Sequence, residues 1–195
     1  MKEMDAPTKG KVVPSLMPKA LWWFRWGSVV TVVAGVFYWS QIAATDAHNA
    51  GVKAGALFGS FYGIWTIAFI LIMGMVMMFN DGRLHGLGVF VVVVVAAWMF
   101  LTMNSAGWES NRTLSIGVGG GLGWIMMFNV WGIIWRFQKK IIAWTADNAA
   151  NSTPIPPEAA KLARRAFLAS RANAWLSVPM LFFMAAASHY PMFGK

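Results

Sequence analysis

The chain has 195 residues, 58% of them hydrophobic and only 12% charged, with a mean hydropathy of +0.55, which excludes an ordinary soluble domain. The formal charge of +9 invites a nucleic-acid reading, but the basic residues flank apolar runs, where they meet anionic lipid head groups, so no nucleic-acid partner is expected. Zero cysteines exclude disulfides, thiolate metal sites, iron–sulfur clusters and covalent c-type haem attachment within the chain.

A helix rising about 1.5 Å per residue needs roughly 18 to 25 apolar residues to cross a bilayer core. Residues 1–20 read as a polar, proline-containing cytoplasmic tail, and the first span as Leu21–Ile42. Its opening, LeuTrpTrpPheArgTrpGly at 21–27, places Trp22, Trp23 and Trp26 at an interface, where the long stem of Arg25 can carry its guanidinium back to the head groups. These four residues are expected to anchor the span. The second span, Ala54–Phe79, carries Gly55, Gly59 and Gly63 on one face, a bare surface that another helix can approach closely. The third is Leu84–Met103. Its five valines at 91–95 would be a buried strand in a soluble protein, but the flanking apolar length makes a membrane helix.

The fourth span, Leu114 to Trp135, begins with Gly117, Gly119, Gly120, Gly121 and Gly123 within two turns. Such a face suits a packed helix, or a planar haem, pigment or quinone, with Gly117, Gly120 and Gly121 as the contact points. The span is expected to continue as a polar-surfaced helix through Lys139, Lys140 and Trp144. Residues 145–173 form the one sizeable connection, on the cytoplasmic side: a turn at 151–157, then an interfacial helix opened by Pro157. A short fifth span, Ala174–Ser188, contains Pro179 and leads to an outer tail at 191–195. The expected fold is an all-α integral membrane protein, a bundle of about five transmembrane helices filling residues 21–190.

With the N-terminus inside, 13 of the 16 Lys and Arg residues fall on the cytoplasmic side, leaving Lys53, Arg112 and Lys195 outside. The expected topology is therefore N-terminus cytoplasmic and C-terminus outer. No cleavable signal peptide is expected, because the first apolar run is long and contains Arg25. No Asp, Glu or Lys stands in the middle of a span, so a pump or transporter lacks its usual residues. His48 and His189 fall on the outer side and His85 on the inner side, so no pair lies at matching depth to sandwich a haem.

Three stretches carry a resemblance: residues 21–27, AsnValTrpGlyIleIleTrpArgPheGlnLysLysIle at 129–141, and LeuSerValProMetLeuPhePheMetAlaAlaAlaSerHisTyrPro at 176–191. Their order and wording resemble the membrane domain of the bacterial membrane-bound urate oxidases, in which a multi-span domain precedes a cytochrome c. The resemblance implies an inner-membrane location and a link to electron transfer. It also implies histidines at positions held here by Gly117 and Ala172, a proline at the position of Arg136, and a further histidine-bearing N-terminal region and a cytochrome c that this sequence does not show. Of the implied histidine set only His189 is present, making it the remaining cofactor-binding candidate.

Imidazoles serve as general bases and metal ligands, and nothing else here replaces them. The expected function is a non-catalytic accessory subunit of a larger membrane redox complex, respiratory or photosynthetic, whose partners are other membrane subunits and lipids. The alternative is the membrane component of a urate- or purine-oxidising enzyme that passes electrons to a separate cytochrome c. No haem, pigment or quinone is demanded by the sequence, and no metal site or catalytic residue is expected.

Overall fold

A computed structural model describes residues 5–193; Lys2 and Lys195 of the charge balance, and the end of the outer tail, lie outside them. The described chain is helical throughout: α1 (Ala6–Asn49), α2 (Gly55–Met78), α3 (Gly82–Met103), α4 (Asn111–Asn129), a wide π turn at Val130–Ile134, α5 (Trp135–Asn151) and α6 (Glu158–His189). Four stretches, 10–49, 55–78, 82–103 and 111–151, are long and apolar enough to cross a membrane.

The fifth expected span is absent from that set because α6 spends its first half on Lys161, Arg164, Arg165 and Arg171. Its second half nevertheless runs antiparallel along all of α4. At one end Asn111 donates to the carbonyls of Ala186 and Tyr190; at the other Asn129 donates to Asn173, which donates to the Met126 carbonyl. A partner that accompanies α4 from end to end spans the same depth. The cytoplasmic interfacial helix and the fifth span expected separately are thus one helix of 32 residues, with Pro179 inside it.

Two further differences come from helix continuation. Residues 6–20, expected as a tail, are the first turns of α1, whose 44 residues reach about 66 Å at 1.5 Å per residue. Pro14 and Pro18 do not break it, because α5 runs antiparallel beside it and Gly10 abuts Ala149. Together α1 and α5 form a two-helix extension beyond one end of the bundle. At its tip Ser152 adopts a left-handed φ of 55°, and the prolines at 154, 156 and 157 keep the chain open until α6 begins.

At the centre stands α4, buried nearly all round. Its glycines remove the side chains that would hold neighbours away, so Trp65 of α2 lies against Gly121 and Phe100 of α3 against Gly117. On another side the Met180 carbonyl of α6 comes within 3.2 Å of where a Cβ on Gly119 would stand. The main core is therefore aromatic: Trp39, Phe61, Trp65 and Phe100 are essentially fully buried around α4.

The glycines of α2 behave differently. Leu57, Ser60, Phe61, Ile64, Trp65 and Ala68 take the inward face of α2, which turns Gly55, Gly59 and Gly63 outward, with nothing within 4 Å of a Cβ at any of them. Among the described residues no helix packs against this triplet. A Gly121→Val substitution should lower stability by about 1–3 kcal/mol through overpacking against Trp65, whereas Gly59→Val should change it by under about 0.5 kcal/mol. Thermal unfolding in detergent, followed by circular dichroism, compares the two directly.

Candidate functional site

Arg25 is the most unusual cation in the bundle. It sits on α1 opposite the π turn, where the Trp135 backbone N–H bonds the Val130 carbonyl five residues back. That widened turn presents two indoles to Arg25: its Cζ lies 4.2 Å from the Trp135 ring centroid and 4.6 Å from that of Trp131, with Trp26 at 5.9 Å. Trp131 also donates its indole N–H to the Arg25 carbonyl at 3.3 Å and meets Trp26 edge-on. The guanidinium face is thus engaged inside the protein, and its Nε is buried without a hydrogen-bond partner. Of the neighbouring tryptophans on its own helix only Trp26 comes over the guanidinium; Trp22 and Trp23 face outward. Sequence reasoning missed Trp131 and Trp135, although their spacing of four was visible as a signal.

The glycine-rich face of α4 divides in two. Gly117 and Gly121 are sealed by Phe100 and Trp65, so the chain's own rings occupy the space a planar cofactor would take. Gly120 borders a small cavity of about 200 Å³ between α1, α4 and α6, together with Gly119, Gly123 and Met180. His189 is exposed at the end of α6 and does not line that cavity.

The histidines do not converge. His48 and His189 are exposed at the end where α1 and α6 terminate. His85 lies at the opposite end, in the first turn of α3, and is 3% exposed with Nε2 unpartnered. Around it the basic half of α6 folds over the α2–α3 turn: Arg165 donates to the Met77 carbonyl at 2.7 Å and Arg164 to the Asn80 carbonyl at 3.1 Å. These carbonyls end α2 without helical partners, and cations are favourable there.

Polar groups at the other end hold helices together. Asp46 accepts from the Thr113 hydroxyl at 2.6 Å and the Ser110 N–H at 3.1 Å, while the Trp39 indole donates to the Thr113 carbonyl. Asn111 accepts the N–H groups of Met192 and Phe193, tying the chain beyond α6 to the start of α4. Asn104 and Ser60 bond each other across α2 and α3. Every one of these contacts fixes a helix end, and among the described residues no three His, Asp or Glu side chains gather where they could hold a metal ion.

A family model described as urate oxidase N-terminal matches residues 6–195. No curated protein and no solved structure matches the chain. The Arg25 cage should be measurable by a double-mutant cycle: Arg25→Leu and Trp135→Leu should each destabilise, and the double variant should lose less than the sum by about 1 kcal/mol. Additive losses would show that the cation and the ring do not interact.

Proposed function

Because the chain belongs to the urate oxidase N-terminal family, we propose that it is a non-catalytic accessory subunit of a redox assembly in a bacterial inner membrane. The observation that carries this reading is position 117. Where the resemblance implies a histidine, this chain has glycine, and the Phe100 ring stands 2.5 Å from where even a Cβ would be. An imidazole has no room there. The second implied position, Ala172, is a buried residue of α6 itself, and His189 is exposed. A bundle whose interior is filled by its own rings supports a scaffolding role.

The two-helix extension supports membership of an assembly. Val13 is buried on it and Gly10 abuts Ala149, but α5 buries no residue of its own. A pair of helices with so little core gains much from a partner that covers it. With the N-terminus inside, the extension projects into the cytoplasm, where a partner subunit would meet Lys11, Lys19, Arg136, Lys139 and Lys140.

Two experiments follow. Extraction in mild detergent should bring down further membrane subunits with the chain, and the isolated chain should show neither a Soret band nor urate-dependent reduction of cytochrome c. Urate-dependent reduction that His189→Ala abolishes would instead establish the enzyme reading, with electrons passing to a separate cytochrome c. Because the chain has no cysteine, single-cysteine variants report topology cleanly. Ser152→Cys should react with an impermeant maleimide only once the cytoplasmic face is opened, and Lys53→Cys in intact spheroplasts.

A further inference from the structure

Along one side of the bundle α3 and α6 diverge, leaving a groove of about 830 Å³ floored by Val118 and Leu122 of α4. Its α6 wall runs from Arg171 to Phe183, about 18 Å at 1.5 Å per residue, a little more than one leaflet's share of a hydrocarbon core about 30 Å thick. Valine, leucine and aromatic side chains line most of it. One end is different in kind: Arg83, His85 and Arg171 line it there.

Three observations at that end point to an anion. His85 is 3% exposed, lines the groove and has a buried Nε2 without a partner, so the site holds a polar side chain that the rest of the protein leaves unsatisfied. Arg164 Nη2 and Arg171 Nη1 both lie 3.3 Å from where a Cβ on Gly82 would stand, bringing two like charges together over the first turn of α3. The free N–H groups of that turn add further positive potential. The neighbouring carboxylate, Asp81, accepts the Arg83 backbone N–H at 2.6 Å and sets one negative charge against the three guanidiniums of Arg83, Arg164 and Arg171, while Arg164 spends hydrogen bonds on the Asn80 carbonyl. Arg171 and Arg83 remain to face the groove.

We propose that this groove seats one anionic glycerophospholipid of the leaflet on the α1–α5 side. Its phosphate lies between Arg171, Arg83 and the start of α3, beside the His85 ring, with the acyl chains laid along α3 and α6. A neutral quinone would fit the apolar walls but leave the converging guanidiniums uncompensated. A zwitterionic lipid offsets its own phosphate. Basic pockets between membrane helices select anionic head groups on these grounds.

The test uses the full chain in detergent, titrated with dioleoyl phosphatidylglycerol or dioleoyl phosphatidylcholine and read by native mass spectrometry. Wild type should retain phosphatidylglycerol at least about tenfold more tightly, and Arg171→Gln should remove most of that preference without changing phosphatidylcholine retention, a difference of about 1.4 kcal/mol per tenfold. Arg83→Gln, on an exposed side chain, gives the same reading should Arg171→Gln fail to fold, and Arg112→Gln at the far end should change nothing. Val94→Trp, which narrows the groove, should weaken both lipids. Equal retention of the two lipids, a preference untouched by either arginine variant, or displacement of bound phosphatidylglycerol by inorganic phosphate or by ubiquinone at equal mole fraction would overturn the proposal.

Discussion

The bareness of α4 is the constraint on which the bundle depends. Within hydrocarbon there is no hydrophobic drive to press helices together, so association rests on packing area and on hydrogen bonds. Glycine at 117 and 121 lets Phe100 and Trp65 come to the α4 backbone on one face, and glycine at 119 lets the α6 backbone come to the other. One narrow helix can then contact four others. The Trp65 and Phe100 rings of α2 and α3 are thereby buried against α4 positions, 121 and 117, that carry no side chain.

Most polar groups that join the helices sit at the ends, with Trp124 donating to the Thr66 hydroxyl as the mid-span exception. Asp46 with Thr113 and Asn111 with the close of α6 hold one end; Arg164 and Arg165 hold the α2–α3 turn at the other. Between them Asn129 and Asn173 join α4 to α6 where the regular helix gives way to the π turn. Each unpaired carbonyl or amide in lipid costs several kcal/mol, so these bonds determine where helices can stop. His85 is the exception, a buried imidazole beside the groove whose Nε2 has no partner.

Much of this was legible in the sequence, for identifiable reasons. The second and third spans end within two residues of expectation because apolar length and the Asn80–Asp81–Gly82 turn are local signals. The separation of the histidines was legible too, since depth in a membrane follows from position along a span. What escaped was everything set by a partner helix. Residues 6–20 look like a tail until α5 is beside them, and α6 looks like two pieces because its first half is basic. The triplet Gly55, Gly59 and Gly63 has the spacing of a packing face, but which face turns inward is decided by Phe61 and Trp65 opposite it. Arg25 looked like an anchor because its partners at 131 and 135 lie more than a hundred residues away.

Two of the three stretches that carry the family resemblance meet in space, and the third runs along α4 toward its other end. Residues 21–27 and 129–141 form the Arg25 cage across α1 and the π turn, and 176–191 is the part of α6 that accompanies α4. None of the three falls on α2 or α3, which contribute the buried rings and one wall of the groove. A seam built from a cation between indoles and from backbone-close helices is sensitive to single atoms, because a guanidinium face and a glycine face accept few alternatives. Aliphatic walls such as those of α3 accept many. The sequence signature therefore tracks the joint that sets α1, α4, α5 and α6 against one another.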